Sequence, residues 1–99
     1  MTATASKLTD LPNVGPATAA DLRLLGIDTP EGLRGRDPVA LYLALCARTG
    51  TRHDPCTLDV LMAAVACVEH GDARPWWAFT AQRKAGWPAV EQALRAQGT

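Results

Sequence analysis

Two His–Cys pairs have the residue types and spacing of half a zinc site each: His53-x-x-Cys56 and Cys67-x-x-His70. Imidazole and thiolate are ordinary zinc ligands at bonds of about 2.0–2.3 Å. The two pairs fall at opposite ends of one predicted helix, however. The eleven residues from Cys56 to Cys67, at about 1.5 Å each, separate them by roughly 16 Å. Such a site closes only if that helix breaks, so no metal is expected. Cys56 alone points to a second chemistry. As an early residue of a helix begun by Asp54-Pro55, its thiol would meet the positive end of the helix dipole, with His53 near enough in sequence to serve as a base. Asp54 beside it opposes a thiolate. The competing reading is a small buried thiol, and Cys46 and Cys67, inside apolar runs, read as core. No set of carboxylates, bases and nucleophile suits glycosylase or nuclease work. No catalytic residue and no cofactor is therefore assigned, and the chain is read as a non-enzyme.

The main chain offers more than the side chains do. Residues 11–19 read LPNVGPATA, with two prolines, a glycine and an asparagine inside five positions. A tight turn followed at once by a helix leaves unpaired N–H groups and a positive dipole end, which together attract an anion. The donors would be the amides of Gly15, Ala17 and Thr18, with the Thr18 hydroxyl in reserve. Asn13 and Val14 complete the candidate site. Pro16 has no N–H to give, and Gly15 lacks the Cβ that would hold a ligand off. The plainer alternative is a compact joint between two helices, with Val14 plugging the core and Gly15 permitting the bend.

A helical framework is predicted around this turn. Residues 7–11 make a short turn, with Ser6 as a candidate cap. Pro16 suits the first position of a helix over residues 17–25, which Gly26 closes. Residues 28–31 start a brief helix at Thr29-Pro30. Asp37-Pro38 and Asp54-Pro55 start two strong ones, ended by Gly50 and Gly71. Their apolar runs, VALYLALCA and VLMAAVACV, predict helices buried all round. Residues 74–84 begin an aromatic helix; Gly86 and Pro88 predict a break; residues 89–97 form a last helix carrying Val90 and Leu94. No alternating strand pattern is present.

Ten basic and ten acidic side chains cancel in this chain of 99 residues. Strong electrostatic binding of nucleic acid is thereby disfavoured, since neutralising many phosphates needs a positive excess. Four of the basic groups (Arg74, Arg83, Lys84 and Arg95) lie after residue 73 against Glu91 alone, so any basic footprint is C-terminal. Trp76, Trp77 and Phe79 stand beside it and either stack on bases or close one end of the core. Trp77, Arg83 and Lys84 are the secondary contact candidates. Three cysteines are odd in number and suit reduced thiols. No apolar h-region occupies residues 1–15 and no run reaches a membrane span, so a cytoplasmic protein without membrane contact is expected.

The turn resembles the helix-hairpin-helix motif, roughly h-P-G-h-G-x-x-x-A, at Leu11, Pro12, Val14, Gly15 and Ala19. Asn13 stands where the first glycine usually does, and asparagine tolerates the left-handed region. The family often places a basic residue after Gly-Pro; here it is Ala17, with Asp21 a turn later. Residues 24–33 (LLGIDTPEGL) are similar to the C-terminal domain of bacterial competence regulators. Residues 54–60 (DPCTLDV), with Trp76-Trp77 and Arg83-Lys84 behind them, are similar to small bacterial pathogenicity-locus proteins, some labelled mitomycin-resistance proteins. The resemblance spans roughly residues 8–84. With the helical pattern it gives an expected all-α fold of about five to six helices: the resemblance implies a helix-hairpin-helix domain over residues 7–84, while the residues themselves predict a C-terminal helix over 85–99 packed on it and a disordered start over 1–6, which is small and polar. A second, degenerate hairpin would lie at residues 49–55, where Asp54 repels phosphate. The function implied is weak, sequence-independent contact with DNA phosphates, linked to repair or damage resistance. The alternative is a protein-interaction module using the same fold.

Overall fold

The three strongest helix starts in this chain each put proline directly after a cap residue, Gly15-Pro16, Asp37-Pro38 and Asp54-Pro55. Proline at the first helical position has its φ already set and no donor to waste. The computed structural model describes residues 7–99 and shows helices at all three starts. They are α1 (Pro16–Leu24), α2 (Pro38–Thr49) and α3 (Pro55–His70). A fourth helix, α4, covers Thr80–Gln97, and 3-10 turns occupy Leu8–Asp10, Pro30–Leu33 and Trp76–Phe79. No strand occurs among the described residues, so they are all-α. The expectations for residues 1–6, including Ser6 as a cap, lie outside the described residues.

The acidic caps act as the sequence predicts. Asp37 Oδ1 accepts from the Val39 amide at 3.0 Å, and Asp54 Oδ1 from the Cys56 amide at 2.8 Å. The Cys56 amide holds the Asp54 carboxyl below the usual aspartate range. At the far end of α1 the Gly26 amide bonds to the Arg23 carbonyl and the Ile27 amide to the Leu22 carbonyl. That paired closure needs a left-handed residue, supplied by Gly26 at φ +82°.

Two expectations are corrected. Helix α2 is not buried all round: Leu41, Tyr42, Leu45 and Cys46 face the core, while Ala40, Ala44 and Ala47 are exposed. Alanine is the best helix former and too small for its exposure to cost much, so an unbroken apolar run overstates burial. The chain also does not break at Gly86 and Pro88; α4 runs through both. An internal proline costs about 3 kcal/mol through a lost hydrogen bond and a steric clash. Val90 and Leu94 are buried on the same helix, and Trp87 packs against the core with its ring 6.0 Å from Tyr42 at 62°. Each such side chain contributes roughly 1.5–3 kcal/mol of burial, which offsets the proline.

The core collects Leu8, Leu11, Val14, Leu22, Ile27, Leu33, Tyr42, Leu58, Leu61 and Leu94 from both ends of the described chain. Asp59 is buried among them without being apolar. Its Oδ2 accepts from Thr80 Oγ1 at 2.7 Å and its Oδ1 from Arg83 Nε at 2.8 Å, so one carboxylate ties α3 to α4. The link from α2 to α3 is likewise bonded inward. The Tyr42 hydroxyl donates to the His53 carbonyl, Thr49 Oγ1 lies 2.9 Å from His53 Nε2, and Arg52 donates to the Thr99 carbonyl. Burial, followed by the neighbouring Cys46, pushes the Tyr42 hydroxyl well above its ordinary pKa.

Candidate functional site

The turn before α1 is built from three apolar anchors and one unusual backbone step. Leu8, Leu11 and Val14 are buried, and the Lys7 amide donates to Asp10 Oδ2 at 2.9 Å to close the first 3-10 turn. Asn13 then takes φ +71°, and no other residue apart from glycines does so among those described. This left-handed step turns the chain so that Gly15 leaves extended, at φ −92° and ψ −178°, straight into Pro16. The first helical bond runs from the Ala19 amide to the Gly15 carbonyl at 3.0 Å. The amides of Asn13, Gly15, Ala17 and Thr18 have no hydrogen-bond partner among the described residues. Gly15, Pro16 and Ala17 are exposed; Asn13 and Thr18 are half-buried. The helix dipole adds a partial positive charge to the same spot.

Gly15 itself is informative. Its φ is one that any residue adopts, and a Cβ placed there would meet nothing within 4 Å among the described residues. Neither the bend nor the internal packing needs a glycine at that position, so the bend is Asn13's work. What the missing Cβ leaves is open space over the free amides.

Two members of the predicted set act differently from expectation. Val14 is a core residue at 5% exposure whose amide already donates to the Leu11 carbonyl at 3.2 Å. Its N–H is engaged, so it is no phosphate donor. The Asn13 side chain is turned inward as well. Its Nδ2 donates to the Arg74 carbonyl at 2.9 Å and its Oδ1 accepts from the Trp76 amide at 3.0 Å. Asn13 therefore offers a ligand its main-chain amide alone, and its amide side chain staples the turn to the segment between α3 and α4. Sequence reasoning missed that tether; the signal was an asparagine in a left-handed slot, since glycine would have made the turn without the two side-chain bonds.

The C-terminal basic footprint is mostly neutralised where it stands. Arg83 is a buried ion-pair member with 11% of its side chain exposed, and the Asp59 carboxylate holds its guanidinium above the ordinary range. It is not available to a ligand, because Thr80 and Arg83, three residues apart on α4, both face Asp59. Arg74 pairs with Asp72 at 2.7 Å and lies over the Phe79 ring at 4.9 Å; Arg95 pairs with Glu91 at 3.4 Å. Lys84 is exposed and has no carboxylate partner among the described residues. In the aromatic cluster Phe79 is buried, Trp76 is half-buried and Trp77 is 65% exposed.

The cysteine–histidine chemistry finds no geometry. Helix α3 runs unbroken from Pro55 to His70, which keeps Cys56 and Cys67 apart, and no group of three potential metal ligands gathers among the described residues. Burial, then the Asp54 carboxylate, pushes the Cys56 thiol up, away from a reactive thiolate. The His53 ring is engaged by Thr49. A shallow groove of about 320 Å³ between α3 and the start of α4 has Met62, Val65 and Phe79 on its walls with Glu69, His70 and Arg74 around them. Arg74 there is already paired to Asp72 and Glu69 accepts from the Gly35 amide, so the groove presents no nucleophile with its base.

Comparison with known proteins gives two matches. Residues 1–85 match the family described as "Pathogenicity locus". Over 79 residues the chain is 48% identical to "Mitomycin resistance protein McrB" of Streptomyces lavendulae, an alignment covering 80% of this chain and 75% of that protein. No solved structure matches.

Proposed function

The chain belongs to the pathogenicity-locus family, and we propose that its turn is a helix-hairpin-helix element contacting DNA backbone phosphates without reading sequence. The carrying observation is the cluster of amides at Gly15, Ala17 and Thr18 that have no partner among the described residues, beside a glycine whose Cβ position meets none of those residues. A phosphate oxygen set there would accept short hydrogen bonds from fixed donors at a helix N-terminus. The role so proposed is binding rather than catalysis, in the cytoplasm. The name of the mitomycin-resistance relative extends the reading to damage resistance.

Charge sets the scale of this contact. Net charge is zero, Ala17 replaces a basic residue, and three of the four C-terminal cations are already paired. With only one or two phosphates neutralised, the affinity is weak and its salt dependence shallow, a slope of about −1 to −2 on logarithmic axes for duplex. Fluorescence anisotropy with labelled duplex and single-stranded DNA across salt concentrations tests the proposal. Measurable binding at low salt with that shallow slope is expected; no binding of either form at low salt ends it.

A second reading, a protein-interaction module, is favoured by the exposure of Trp77 at 65% and Leu24 at 46%. It is selected if pull-down partners survive nuclease treatment while DNA produces no anisotropy change.

A further inference from the structure

Trp77 is the most exposed large apolar side chain among the described residues, and it sits beside the turn through a specific link. Asn13 holds the Arg74 carbonyl and the Trp76 amide with its own side chain. The segment carrying Trp77 is thus stapled to the residue two positions before Gly15. The Trp76 ring meets the Trp77 ring edge-on, 5.6 Å between centroids at 83°, and most of the Trp77 surface is left to solvent. Phe79, two residues on, is buried, so the exposure of Trp77 is specific to that position in the aromatic run.

We propose that Trp77 is a stacking platform for an unpaired base, and that the stapled turn and tryptophan together prefer single-stranded DNA over duplex. This rests on the phosphate reading of the turn and goes further by naming the form of DNA. Two observations and one physical rule carry it. The turn that carries the amides and the segment that carries the indole are joined by the two Asn13 side-chain hydrogen bonds. Of the cations flanking the aromatic run in sequence, Arg74 and Arg83 are held by Asp72 and Asp59, and Lys84 alone has no carboxylate partner among the described residues, so charge adds little affinity there. Stacking on an aromatic ring needs no charge and tolerates any base. In duplex DNA the bases are already stacked on one another, and a base reaches a protein ring only after it is unpaired. A strand whose phosphate rests on the amides of Gly15, Ala17 and Thr18 has a neighbouring base free to lie on the indole only if that strand is single.

The test compares labelled oligothymidylate, an abasic strand of equal length and a duplex, with the whole chain as wild type, Trp77→Ala and Trp77→Phe. The exposed ring predicts that both variants fold, checked by thermal melting. The expected result is binding of oligothymidylate about tenfold tighter than of the abasic strand or the duplex. Trp77→Ala removes that preference, bringing oligothymidylate affinity down to that of the abasic strand, while Trp77→Phe retains part of it. Equal affinity for thymidylate and abasic strands, or a preference that survives Trp77→Ala, overturns the stacking role and leaves the phosphate reading standing. Binding to none of the three overturns both. A change in sedimentation with Trp77→Ala, without a change in DNA affinity, assigns the ring to contact with a second copy of the chain and also overturns the proposal.

Discussion

Replacing Gly15 with serine is expected to make the protein more stable and a worse DNA binder. Gly15 is the cap residue of α1, in an extended conformation open to any side chain, and no described residue lies where a Cβ would go. Serine is a better cap than glycine by a few tenths of a kcal/mol, and its hydroxyl accepts from the amide two or three residues on. Those amides belong to Ala17 and Thr18, the proposed phosphate donors. Restricting the unfolded chain adds about 0.4–1 kcal/mol where the native conformation suits the new residue. In a chain of this size a gain of ~1 kcal/mol raises Tm by roughly 4–8 °C. The same hydroxyl covers a donor whose bond to a charged group is worth about 1.5–3 kcal/mol, so DNA affinity falls about ten- to a hundredfold. Calorimetry gives the first quantity and anisotropy the second. Gly15→Ala is the control, since it adds a Cβ but no competing acceptor and should bind at an intermediate strength. A serine variant that melts higher yet binds DNA as before refutes the assignment of the amides. One that melts lower refutes the claim that Gly15 is free of internal constraint.

Asp59→Ala leaves Arg83 buried without its partner and should cost roughly 3–5 kcal/mol, a large share of the about 5–15 kcal/mol that holds a small domain together. The urea midpoint reports it, Asp59→Asn should cost less because the Thr80 contact survives, and a loss under about 1 kcal/mol would contradict a buried pair. Asn13→Gly keeps the left-handed step but drops two side-chain bonds, for a loss of about 1–3 kcal/mol; an unchanged melting temperature would show the staple to be idle. Asp54 and Asp72 titrate below the ordinary aspartate range, through the Cys56 amide and the Arg74 guanidinium respectively. Groups depressed in the fold stabilise it above their unfolded pKa of about 3.9 and lose that contribution as pH falls through the folded values. Melting temperature should therefore decline below about pH 4, less so in Asp54→Asn, which keeps a cap. Burial and Asp54 raise the Cys56 thiol, so its alkylation should be slow at neutral pH with a midpoint above the usual thiol value of about 8.5; a midpoint near 7 would restore a reactive cysteine.

Residues that act on their immediate neighbours are the legible ones. Asp37-Pro38, Asp54-Pro55 and Gly15-Pro16 could be read as helix starts, and Gly26, Gly50 and Gly71 as helix ends, because capping and left-handed backbone are settled within four residues of chain. The amides of Gly15, Ala17 and Thr18 were legible for the same reason: a helix start leaves its first donors unpaired whatever lies elsewhere. Tertiary structure decided the side chains. Asn13 meets Arg74 and Trp76 across 61 and 63 residues of sequence, and Arg83 meets Asp59 across 24. No local pattern announces such meetings, so a turn asparagine looked like a ligand contact and a buried arginine like part of a basic patch. Pro88 follows the same logic, for a helix outlasts its proline only when a distant surface, here Tyr42 against Trp87, rewards its continuation. Short-range backbone chemistry travels with the sequence; the partner of a long side chain is set only when separate segments pack.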